Sequence, residues 1–146
     1  MTLRRDRETA MIRIILSVLA GVIVGGIVTG LLEAVGHLAM PLPEGLLPED
    51  MSDADAMRAA MAQVPDINRL AVVAAWAGGA LAAGWVTSTV ARSHHLALSM
   101  MAGGGLLFAG LSNLIFIPSP LWMWAAGLAV FLPMAWLGHR LAPKRG

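Results

Sequence analysis

Hydrophobic positions in this chain fall into four long blocks separated by short polar or proline-containing breaks. The first block reads IILSVLAGVIVGGIVTGLLEAVGHLAM from Ile14 to Met40, and it carries no charge as far as Leu32. At 1.5 Å per residue the uncharged part is about 28 Å long, close to the hydrocarbon thickness of a bilayer. Three more blocks, at 70–91, 96–117 and 121–141, each approach the ~20 residues that a membrane-crossing helix needs. The pattern predicts an all-α fold. Four transmembrane helices, at about 12–40, 70–91, 96–117 and 121–141, form a bundle in a single integral membrane domain spanning 1–146.

Placing the first block on a helix at about 100° per residue puts Gly25, Gly26, Thr29, Gly30, Glu33, Gly36 and His37 on one face. Ile23, Val24, Ile27, Val28, Leu31, Val35 and Leu38 take the remainder. In lipid, small residues mark where another helix approaches closely, so Gly26 and Gly30 are expected to be buried and the branched residues to face acyl chains. Trp76, Gly79, Ala80, Ala83 and Thr87 share a comparable face in the second span, as do Ala102, Ala109, Gly110 and Asn113 in the third. Pro133 is expected to kink the fourth helix or loosen its hydrogen bonding.

Residues 41–69 break the pattern. PLPEGLLP holds three prolines in eight residues and cannot sustain a helix. Ser52 or Asp53 can then cap a short helix to about Val64, where Pro65 stops it. Ala54, Met57, Met61 and Val64 form its apolar stripe, which predicts an amphipathic helix on the bundle's outer mouth or in the headgroup layer. Glu44, Glu49, Asp50, Asp53, Asp55 and Asp66 outnumber Arg58 and Arg69 here and read as a solvated acidic face.

Composition adds that 58% of the 146 residues are hydrophobic and only 13% charged, which places the chain in the membrane class with no room for a second sizeable domain. A net charge of +1 points to no nucleic-acid partner; the partner expected throughout is the lipid bilayer. With no cysteine there is no disulfide framework or thiolate metal site. The basic residues are topological: Arg4, Arg5, Arg7, Arg13, Arg92, Arg140, Lys144 and Arg145 fall on one side when the spans alternate. The positive-inside rule then gives a multi-pass protein of four spans with both termini cytoplasmic. The first block exceeds the 7–15 residues of a signal-peptide core and is expected to remain as an uncleaved helix. Trp76, Trp122 and Trp124 fall near the outer boundary and Trp85 and Trp136 near the inner one, where each reads as an interfacial anchor.

Candidate chemistry gathers by depth. Glu33, His37, Trp76, Ser112 and Asn113 lie in the outer half of the bundle and are expected to form one binding cluster. An ionisable residue within a span is costly, so it marks a functional site by default. Glu33 and His37 at i, i+4 could supply two metal ligands, fewer than the three or four that zinc requires. His94, His95 and His139 gather at the cytoplasmic ends of their spans, where headgroup-level caps are the simpler reading. No metal and no cofactor is expected. The chain carries no hydrolase motif and is not expected to be an enzyme.

The arrangement Glu33-x3-His37-x3-Pro41-x-Pro43, followed by Asn113-x4-Pro118-x-Pro120-x-Trp122, resembles a group of uncharacterised small bacterial four-span membrane proteins. The likeness covers nearly the whole chain and brings no established activity with it. Two classes of function are compatible with these features. One is a binding or transport unit for a small solute or proton centred on Glu33 and His37. The other is a non-catalytic accessory or assembly subunit, as a homo-oligomer or within a larger membrane complex.

Overall fold

The computed structural model describes residues 2–50, 52–91 and 93–143, with side chains from Glu8 onward. It holds five helices: α1 (Thr2–Ala39), α2 (Ala54–Gln63), α3 (Asp66–Val90), α4 (His95–Phe116) and α5 (Leu121–Leu141). No strand occurs among the described residues. The four long helices are long and apolar enough to cross a membrane, and they pack as an all-α, multi-pass bundle.

Local chemistry sets the boundaries. Asp53 caps α2, its carboxylate accepting from the N–H groups of Asp55 and Ala56 at 3.0 Å each. Pro65 ends α2 and opens α3 one turn before the apolar block begins, so residues 66–69 belong to the helix rather than to the loop. Between α1 and α2, the Leu46 N–H closes a turn on the Pro43 carbonyl, and Gly45 takes the positive φ of 74° that this turn needs. At its start α1 continues beyond the apolar block, back to Thr2. The α5 helix runs unbroken through Pro133, whose side chain is exposed. Of the basic residues used to orient the chain, Arg92, Lys144, Arg145 and the side chains of Arg4, Arg5 and Arg7 lie outside the described residues.

Burial is inverted relative to a water-soluble bundle. Ile23, Ile27, Leu31, Val35 and Leu38 line an exposed face of α1, while the interior is rich in alanine, with Ala75, Ala80, Ala83, Ala102 and Ala135 all buried. Large exposed apolar area with small residues inside is the pattern expected when lipid replaces water. The central helix is α3, which packs against α1, α4 and α5; α4 also touches both α1 and α5.

The α1–α3 seam has a regular antiparallel register. A Cβ on Gly21 would overlap Thr87 Oγ1, and one on Gly79 would overlap Thr29 Oγ1. Between them, a Cβ on Gly25 would lie 2.8 Å from that of Ala83. Each helix thus brings a Gly-x3-small-x3-Thr run, and each threonine hydroxyl sits over the other helix's glycine. Thr87 Oγ1 is buried with no hydrogen-bond partner; it sits against the Gly21 backbone, which offers at most a weak Cα–H···O contact.

This register corrects the face expected for α1. Its buried ridge is Ser17, Gly21 and Gly25, continued by the half-buried Thr29, Glu33 and Gly36. Gly26 and Gly30 are exposed, and a Cβ on either would meet nothing within 4 Å. The ridge follows i, i+4 spacing, which drifts about 40° per step around the helix and leaves Gly26, Gly30 and His37 beyond its edge. The small face of α3 is as expected, with Trp76, Gly79, Ala80, Ala83 and Thr87 all buried. On α4, Ala102 and Gly110 are buried but Ala109 and Asn113 are exposed.

Candidate functional site

A cavity of about 320 Å³ opens at the end of the bundle that carries residues 41–69. All five helices, with Met123 from α5, and the connections between them build it. Glu33 and His37 come from α1, Met57 and Met61 from α2, and Asn68, Arg69 and Val72 from α3. Asn113 comes from α4, Leu42 and Leu47 from the α1–α2 loop, and Ser119 from the α4–α5 turn. Most of the wall is apolar, with a few polar groups, and the volume is in the range that binds small molecules.

Below the cavity, Trp76 anchors Glu33. Its indole Nε1 donates to Glu33 Oε1 at 3.1 Å. Trp76 is itself 3% exposed, so it is a core residue and not the interfacial anchor expected from its position. Its ring stacks on Phe131, with centroids 5.7 Å apart and planes 25° from parallel. Gly127 and Gly110 make room for these two rings; a Cβ on Gly127 would lie 2.7 Å from Trp76 Cζ3, and one on Gly110 2.6 Å from Phe131 Cζ. A rigid aromatic pair therefore fixes one oxygen of the Glu33 carboxylate. Trp122, Trp85 and Trp136 are exposed, as interfacial residues would be.

Of the five residues that the sequence placed in one cluster, Glu33, His37 and Asn113 share the cavity, and Trp76 joins through its hydrogen bond. Ser112 does not reach the cavity; its hydroxyl donates to the Phe108 carbonyl within its own helix. Adjacent residues on a helix point about 100° apart, and here that turn carries the Ser112 side chain away from the cavity that Asn113 lines.

Sequence reasoning missed Asn68 and Arg69, which it assigned to the loop. Asn68 Nδ2 donates to the Met40 carbonyl at 2.7 Å and ties the end of α1 to the start of α3. Arg69 pairs with Asp66 at 2.6 Å and also donates to the Met61 carbonyl near the end of α2. Arg69 thus holds the end of α2 beside the cavity, while Asn68 closes the α1–α3 side. The signal was Pro65, which starts α3 early enough to bring both onto a helix. Elsewhere in the loop, the Ser52 hydroxyl and N–H bond to Asp50 and hold its carboxyl below the usual carboxylate range.

A second polar cluster lies at the opposite end. Ser99, fully buried, donates to the Gly84 carbonyl at 3.0 Å, which uses its one proton. Ser88 must then donate to Ser99 across their 2.8 Å contact and accept from His139 Nδ1, also at 2.8 Å. His139 therefore carries a proton on Nδ1. His95 Nδ1 similarly donates to the Ser88 carbonyl at 3.0 Å. Two of the three histidines that gather at this end thus converge on Ser88, while His94 is exposed in a left-handed conformation at the start of α4. The chain of bonds ties α3, α4 and α5 together and ends on a backbone carbonyl, an arrangement suited to fixing helix register.

No group of three or more His, Cys, Asp or Glu side chains among the described residues is placed to hold a metal ion. Comparison with known protein families, with curated proteins and with solved structures finds no match to this chain.

Proposed function

We propose that this chain is a bacterial inner-membrane protein, with both termini cytoplasmic, whose bundle serves as a binding or transport unit for a small solute or proton, with Glu33 as acceptor. The observation that carries this reading is the cavity itself, which reaches Glu33 from the 41–69 end. A carboxylate within a span is costly unless it is paired, hydrated or protonated, and here it faces a cavity that a guest can enter. His37, one helical turn from Glu33, lines the same cavity and completes the pair on which this reading centres. Deeper in the bundle, the fully buried Ala80, Ala83 and Ala102 lie together with Leu106 in the hydrophobic core. That packing supports loading from one end, so passage across the membrane requires a rearrangement of the seam.

A second reading, an accessory subunit or homo-oligomer, is favoured by one observation. Gly26 and Gly30 are exposed beside Ile23 and Ile27, with open space where a side chain would stand. Spacing of this kind suits a close helix neighbour.

The test is a thermal-shift screen of the purified protein in mild detergent against small solutes at several pH values, with Glu33→Gln alongside. A guest of the folded state raises the melting temperature in proportion to its occupancy. Solutes that stabilise the wild type but not Glu33→Gln support the first reading. Identical responses from both proteins would leave the accessory reading in front.

A further inference from the structure

We infer that the cavity at Glu33 takes a protonated primary amine carrying a short apolar body. The inference rests on the binding reading above and adds the class of guest. Charge comes first: among the described residues no cation pairs with Glu33, whose carboxylate receives one hydrogen bond from the indole of Trp76. Arg69, the cation that lines the cavity, is already engaged by Asp66 and by the Met61 carbonyl. A carboxylate facing a largely apolar cavity without a cationic partner favours a cationic guest.

Hydrogen-bonding capacity narrows the class. Three donors around the cavity are committed to protein acceptors: the Trp76 N–H to Glu33, the Asn68 amide to the Met40 carbonyl, and the Ser119 hydroxyl to the Ile117 carbonyl, 3.0 Å away. His37 and Asn113, which also line it, are exposed and open to water. Because a carbonyl can only accept, Nδ2 of Asn68 is fixed on Met40, which leaves Oδ1 unused. Acceptors therefore remain, namely the second oxygen of Glu33, Asn68 Oδ1 and the lone pairs of Ser119. An alkylammonium brings three N–H donors, a positive charge and no acceptor. Magnesium or calcium would need six or more oxygen ligands, and this cavity offers one carboxylate. The apolar body has the remaining wall, where Met57, Met61 and Met123 supply flexible, polarizable surface.

The full-length protein in mild detergent at pH 7 is titrated by calorimetry with hexylammonium, hexyltrimethylammonium and hexan-1-ol. The three share one alkyl body and differ in N–H donors and charge. Wild type is compared with Glu33→Gln, with Met57→Trp, which fills the cavity from α2, and with Ser112→Ala as a control. Melting curves report whether each variant is folded. Hexylammonium should bind wild type and Ser112→Ala at least about tenfold more tightly than either analogue; Glu33→Gln should remove that preference, and Met57→Trp should weaken binding about tenfold. Equal binding of hexan-1-ol and hexylammonium, an unchanged preference in Glu33→Gln, or no binding by the wild type overturns the amine assignment. If equal affinities still fall in Met57→Trp, the cavity stands as a binding site for another class of guest. Affinities untouched by Met57→Trp overturn the site as well as the guest.

Discussion

Gly25 and Gly79 face each other across the α1–α3 seam so closely that a Cβ on either would stand 2.7 Å from the other's carbonyl oxygen. Neither backbone can move away without lifting the Gly21–Thr87 and Thr29–Gly79 contacts on either side. Gly79→Leu should therefore cost about 3 kcal/mol of bundle stability, the upper part of the usual overpacking range. Gly30→Leu adds a side chain to an open face and should stay within about 0.5 kcal/mol of wild type. Unfolding by denaturing detergent in mixed micelles measures both, and equal losses would show that the seam is wrongly assigned.

Trp76→Phe keeps the ring against Phe131 but removes the N–H that holds Glu33. Loss of a hydrogen bond to a carboxylate should cost about 1.5–3 kcal/mol. A double-mutant cycle with Glu33→Gln isolates the pair: the two losses should add to more than the double mutant shows. Strict additivity would mean that the indole and the carboxylate are not coupled.

At the other end, the direction of the bonds through Ser88 and Ser99 makes a choice between two substitutions. The amide nitrogen of Asn lies near the position of imidazole Nδ1, whereas Gln reaches toward Nε2. His139→Asn should retain the bond to Ser88 and most of the stability, while His139→Gln and Ser99→Ala should each lose about 1–3 kcal/mol, because a buried hydroxyl is left without its partner. A reversed order in thermal melts would reverse the assigned tautomer.

Topology is testable in a chain with no native thiol. Ser52 is exposed in the 41–69 segment, so Ser52→Cys should react with a membrane-impermeant maleimide added to intact cells. Ser93→Cys, exposed at the opposite end, should react only after the membrane is opened. Labelling in the opposite order would invert the proposed orientation.

Local features were legible because their causes are local. The four spans follow from uninterrupted apolar runs, which need only chain length and composition. The start of α2 follows from Asp53, and its end from Pro65, since a cap and a missing N–H act within one turn. The depth of Glu33, His37 and Asn113 could be counted along each helix from its end, and the structure brings these three to one cavity. Rotation about the helix axis was a different matter. Gly25 and Gly26 look alike in sequence, and lipid exerts no hydrophobic force that would bury one in preference to the other. Only the fit of the Ser17–Gly21–Gly25–Thr29 ridge against Gly79, Ala83 and Thr87 decides that Gly25 is covered and Gly26 is not. The bond from Trp76 to Glu33 spans 43 residues, and the Ser88–His139 bond spans 51. Such pairs depend on the register between helices, a property of the packed bundle that no single span carries.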